Sequence, residues 1–146
     1  MTIIDKIKQS VEVLGLSFAY GSLDDLNDII SSHDFDGGKL CYCTLISTGT
    51  AVLDTSGRWH DSVQIGLFVV DKTDFDPCSL ENEQIIDDCK QAVFRWLISV
   101  NHSTDIKVQG IISSQRVYDQ FDDIVTGYGV QITLQEKQGY GTCDFV

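Results

Sequence analysis

The chain has 146 residues, 42% of them hydrophobic, and carries 22 acidic against 10 basic side chains for a formal net charge of −12. That length suits a single domain with one core, burying roughly two-thirds of the surface its unfolded chain exposes. The charge argues against a reader of nucleic-acid grooves or a binder of anionic lipid, and no apolar run approaches the ~18 residues that span a bilayer.

In chain order, residues 2 to 14 read as a helix, with Ile3, Ile4, Ile7, Val11 and Leu14 on one stripe and Lys6, Lys8 and Gln9 outside it. This opening reads as an amphipathic helix and not as a signal peptide, so the expectation is synthesis in the cytosol. Gly15 stands where a helix end calls for positive φ. Leu16, Phe18 and Tyr20 predict a short strand, and Ser22 with Asp25 resembles a capping box opening a short helix through Leu26 and Ile30. Residues 34 to 38 are a turn, and residues 39 to 48 form a strand of β-branched and aromatic content. The turn Thr55-Ser56-Gly57 predicts antiparallel pairing with the strand from Trp59 to Val70. There Val63, Ile65, Leu67 and Val69 fall at period two, while the opposite face carries His60, Ser62, Gln64 and Gly66 before turning apolar at Phe68 and Val70.

From Leu80 the period changes. Ile85, Cys89, Ala92, Val93, Trp96, Leu97 and Val100 recur at three and four, marking one side of a helix of about five turns. Ser79 is its expected N-cap, with Glu81 and Glu83 in the first turn, where the helix dipole favours negative charge. Two more strands are predicted at 106 to 113 and 128 to 137, with Val130, Ile132 and Leu134 alternating against polar neighbours. Residues 117 to 125 read as a strand start plus a connection. The expected architecture is α+β: one mainly antiparallel sheet with two to three helices packed on one face, a single domain over 1–138. Residues 139–146, broken by Gly139 and Gly141, form a C-terminal tail, flexible or docked as an arm on a neighbour.

Candidate chemistry is sparse. The segments Asp34-x-Asp36-Gly37 and Asp71 to Asp76 offer hard oxygen ligands, but neither completes a calcium loop, and turn and cap duty accounts for them. Five cysteines, at 41, 43, 78, 89 and 143, form no Cys-x-x-Cys pair and read as buried thiols of a reducing compartment. Cys41 and Cys43 share a strand face, and with His33 or His60 they are the nearest approach to a zinc set, yet Cys-x-Cys in an apolar strand is more often packing. The three histidines, His33, His60 and His102, accompany no nucleophile-elbow motif. Gly127-Tyr128-Gly129 and Gly139-Tyr140-Gly141 are not phosphate loops, since no helix opens after them, and they read as bends beside a strand. Arg58 beside Trp59 is the exposed-looking basic and aromatic pair, at a hairpin end. The expectation is therefore no catalytic residue, no cofactor and no metal.

The order of elements, the acidic Val70-Asp71-Lys72-Thr73-Asp74-Phe75-Asp76 turn and the long helix from Glu81-Asn82-Glu83-Gln84 to Phe94-Arg95-Trp96-Leu97 resemble the small α+β connector proteins of tailed bacteriophages. These are the tail-terminator, tail-completion and neck proteins, and the resemblance is to versions from phages of Bacteroidetes-type hosts, over residues 1 to 138. It implies a structural virion protein made in the host bacterial cytoplasm, without catalysis, forming a ring, commonly hexameric, that meets neighbouring tail-tube or connector proteins and no membrane. An acid-lined lumen lets DNA pass without sticking. Asp71, Asp74, Asp76, Asp119, Asp122 and Asp123 are the candidates for that lumen or a partner-facing rim, with Arg58 and Trp59 as a further contact pair. The alternative is a small acidic binding or inhibitor module that docks a basic partner, and a hydrolase using Cys41 or Cys43 comes third.

Overall fold

The computed structural model describes all residues except 1, 36–37, 73–79, 104, 121–124 and 146. The first helix, α1 (Ile3–Glu12), starts at a capping box: the Thr2 hydroxyl accepts from the Asp5 N–H at 3.2 Å and the Asp5 carboxylate accepts from the Thr2 N–H at 2.9 Å. Ile3, Ile7 and Val11 are its buried stripe. Gly15, at φ +80°, turns the chain out of the helix into β1 (Ser17–Tyr20). That strand runs parallel to β2 (Leu40–Leu53), in register from Ser17 opposite Leu40 to Tyr20 opposite Cys43. Parallel neighbours need a crossover, and the crossover carries a 3-10 turn, Leu23–Asp25, and α2 (Leu26–Ser32).

The remaining strands are antiparallel. β2 hairpins into β3 (Trp59–Lys72), which pairs with β5 (Val125–Glu136), and β4 (Ile106–Gln120) lies outside β5, giving the order β1-β2-β3-β5-β4. The sheet's period-two pattern holds where it was read. Val63, Ile65, Leu67 and Val69 are buried beneath α1 and α3 (Leu80–His102), together with Cys41, Cys43, Val130, Ile132 and Leu134. The buried side of α3 is Ile86, Cys89, Val93, Trp96, Leu97 and Val100. Each such Ile, Leu or Val contributes roughly 1.5–3 kcal/mol by leaving water. Trp96, fully buried, ties the two helices together by donating its indole N–H to Ser10 Oγ at 2.8 Å.

The two long helices thus share one face, as expected. The short α2 lies on the other, where Leu26 and Ile30 cover Leu40, Tyr42, Val70 and Val125 at one end of the sheet. The parallel β1–β2 pair explains this placement, because the connection between them is the segment that leaves the first face.

Several boundaries differ from the sequence expectation. β2 runs on to Leu53 through register shifts between Leu45 and Ser47 and between Ser47 and Thr50, bulges that let the polar stretch 47–50 stay in the ladder. β4 likewise extends to Gln120 with shifts after Gln109 and Val117. α3 has 23 residues, more than five turns. Gly127 and Gly129 are not bends but lie within β5. A Cβ at Gly127 would strike the Val69 carbonyl, and one at Gly129 would strike the Phe68 ring. The expected cap Ser79 lies outside the described residues.

Candidate interaction surface

The tip of the β2–β3 hairpin is built around Asp54. Its Oδ1 accepts from the Ser56 N–H at 2.8 Å, the Ser56 hydroxyl at 2.7 Å and the Arg58 N–H at 2.9 Å, while Gly57 at φ +83° closes the turn. Its Oδ2 meets His60 Nε2 at 2.7 Å, and these bonds, His60 first, hold the Asp54 carboxyl well below the usual carboxylate range. The same contact, followed by the Glu136 carbonyl at 3.0 Å from Nδ1, raises the His60 pKa. On that foundation residues 139–145 of the C-terminal segment lie along their own chain at Arg58 and Trp59. Trp59 and Tyr140 exchange backbone bonds of 2.9 and 2.8 Å, and Arg58 Nη1 donates to the Gly139 carbonyl at 3.0 Å. Arg58 also lies 3.7 Å from Asp144.

Direct cross-strand neighbours point to one face of a sheet. Leu53 opposes Trp59 and Trp59 opposes Tyr140, so the three make a row across β2, β3 and the C-terminal segment, 53%, 52% and 42% exposed. A second apolar surface borders the other side of α3. Phe94 and Ile98, one turn apart and 47% and 62% exposed, line an open groove of about 340 Å³ with Leu97, Asn101, His102 and Val108. The Phe94 ring leans on Tyr128, centroids 6.1 Å apart. The groove runs beside β4, which among the described residues is hydrogen-bonded to a strand on its β5 side alone. Ser113 to Arg116 of that edge strand are exposed.

The sequence-derived candidates separate into two groups. Arg58 and Trp59 come together with the C-terminal segment at one end of β3. Asp71 sits at the other end, roughly 40 Å away at ~3.3 Å per strand residue, where it lies 3.8 Å from Lys39 and accepts from the Lys72 N–H. The backbone of Asp119 lies at that same end, since Val125 pairs with both Lys72 and Gln120. Asp74, Asp76, Asp122 and Asp123 lie outside the described residues. The sequence reading missed the Asp54–His60–Glu136 contact and the Phe94–Ile98 groove. The second had a signal, an apolar pair at i and i+4 set off the main stripe of α3.

The cysteine pair packs. Cys41 and Cys43 face the helices, whereas His60 falls at the alternate strand positions and His33 follows α2 on the far side. Burial pushes the Cys41 thiol far up and those of Cys43 and Cys89 to about 12. Among the described residues no three His, Cys, Asp or Glu side chains converge as metal ligands do. No protein-family model matches the sequence, and no curated protein matches it.

Proposed function

We propose that this protein is a structural subunit of a tailed-bacteriophage virion, a ring-forming tail-terminator, tail-completion or head–tail connector component that acts by assembly and not by catalysis. The observation that carries the reading is the edge strand β4 lying beside the apolar Phe94–Ile98 groove. An edge of unpaired backbone groups flanked by exposed apolar side chains is stabilised when another chain covers it. A ring needs two different surfaces on each subunit, one for each neighbour. The β4–α3 groove supplies one, and the Leu53–Trp59–Tyr140 row at the hairpin end of β2 and β3 supplies the other. In this reading the end of the sheet at Asp71 faces the lumen or a rim, and the chain's net charge of −12 keeps passing DNA from sticking. The resemblance in element order supports the same class.

Native mass spectrometry at rising concentration tests it. A closed assembly of one stoichiometry is the expected result, and a strict monomer at high micromolar concentration counts against the ring. The net charge of −12 favours one other reading, an acidic module that docks a basic partner as a monomer, and the same monomer result would turn attention to it.

A further inference from the structure

The two ring nitrogens of His60 both face acceptors. Nδ1 lies 3.0 Å from the Glu136 carbonyl oxygen and Nε2 lies 2.7 Å from Asp54 Oδ2. Neither a backbone carbonyl nor an ionised carboxylate has a proton to give, and a neutral imidazole has one N–H for the two of them. Both contacts are therefore made together by the imidazolium alone. We propose that His60 is a proton-operated latch: doubly protonated, it clamps the β2–β3 turn to the end of β5 and holds the C-terminal arm (139–145) on β3, and loss of one proton releases the arm and uncovers the backbone edge at Trp59.

The arm depends on the ring for three geometric reasons. Gly139 lies against the imidazole so closely that a Cβ there would come 2.8 Å from Cε1 and Nε2. The Glu136 carbonyl that Nδ1 holds is at the arm's root, three residues before Gly139. Arg58, the arm's other tether through the Gly139 carbonyl and Asp144, takes its position from the turn that Asp54 organises. When the ring is neutral, one of the two acceptors faces a lone pair. The neutral ring's one proton stays with the stronger acceptor, the Asp54 carboxylate, so Nδ1 turns a lone pair on the Glu136 carbonyl at the arm's root, and the arm is left to the Trp59–Tyr140 backbone pair and Arg58, whose exposed pairing with Asp144 adds little.

The charged groups around the ring are few. From the hairpin come Asp54 and Arg58, and from β5 the Glu136 carboxylate, which is engaged by Lys6 of α1 at 3.5 Å. β4 contributes Lys107, which opposes the ring's charge, and the arm contributes Asp144. The Asp54 contact outweighs Lys107, so the ring keeps its second proton above the ordinary imidazole range. The latch is a property of the single chain and is independent of the assembly reading.

Amide hydrogen exchange on dilute protein, corrected for intrinsic pH dependence and combined with an NMR titration of the ring, tests the latch. From about pH 5.5 to about pH 9, protection at Trp59 and Tyr140 is expected to fall at least tenfold in step with His60 deprotonation, while core amides such as Ile65 stay protected. His60→Gln replaces the ring with a side chain that does not titrate, so its arm protection should be flat with pH. Asp54→Asn keeps the ring and removes the anion, so the transition should move to lower pH, and this variant reads the latch even if His60→Gln folds poorly. Arm protection that stays constant while the ring titrates overturns the proposal. So does a pH-dependent loss that survives in His60→Gln, or a His60 pKa at or below the ordinary value.

Discussion

Replacing Trp96 with alanine should remove the strongest single tie between the two long helices. The indole is fully buried on α3, among the side chains that cover Ile65, Leu67 and Ile132, and its N–H is bonded to Ser10 Oγ on α1. Truncating a buried Trp costs about 3–5 kcal/mol, the lost transfer energy plus that of the cavity left behind. In a domain near 150 residues, each kcal/mol lowers Tm by roughly 2–4 °C, so the variant should melt on the order of 10 °C below the parent. Trp96→Phe keeps most of the packing and loses the hydrogen bond, worth about 1 kcal/mol, and should fall between the two. Urea unfolding followed by far-ultraviolet circular dichroism gives the free energies, and fluorescence adds a check. Trp59 is half exposed, so the emission remaining in Trp96→Ala should be red-shifted. A loss below about 1 kcal/mol in Trp96→Ala, well short of the cavity range, would refute the placement of the α3 stripe against the sheet.

Gly127→Ala should be destabilised by several kcal/mol, or fail to fold, because the new Cβ meets the Val69 carbonyl and the Val70 backbone, which the paired strand cannot move. Gly15→Ala should cost only about 1 kcal/mol, for its positive φ alone; urea midpoints of equal size would contradict the difference. Under native alkylation Cys143 should react, while Cys41, Cys43 and Cys89 wait for denaturant, as peptide mass mapping would show. The His60–Asp54 pair gives stability an upper and a lower pH limit. His60 is raised in the folded state, so its contribution is complete below its unfolded value and is lost as pH rises through the folded one. Asp54 is lowered, so its contribution is complete above its unfolded value and is lost as pH falls. Stability from the pair should peak between about pH 5 and 6.5, and His60→Gln should flatten the alkaline limb of a Tm-versus-pH curve.

The layers of the fold were legible wherever one face is buried and its period is clean. Val63 to Val69 and the stripe from Cys89 to Val100 announce a sheet under a helix, and both lie as read. The parallel β1–β2 pair was not legible, because Ser17 to Tyr20 is four residues long and nothing local distinguishes a parallel neighbour from an antiparallel one. The far reach of β2 was hidden by Ser47-Thr48-Gly49, residues that usually end strands and here sit in bulges. Gly127 and Gly129 looked like bends because the reason for their small size, Val69 and Phe68 pressing from the next strand, is distant in sequence. The same holds for the interaction surface. Arg58 and Trp59 stood out as neighbours in the chain, but Asp54, His60, Glu136 and Tyr140 meet them only after β3 and β5 align.

The central claim, a subunit that closes into a ring through β4 and its flanking groove, is tested most directly by electron microscopy of the purified protein beside the Phe94→Glu, Ile98→Glu double variant. Both side chains are exposed on α3, so the variant should keep the circular dichroism spectrum of the parent. The account predicts closed rings of uniform diameter in the parent and monomers in the variant. Rings that persist unchanged in the folded variant, or a parent that stays monomeric at high micromolar concentration, would contradict it.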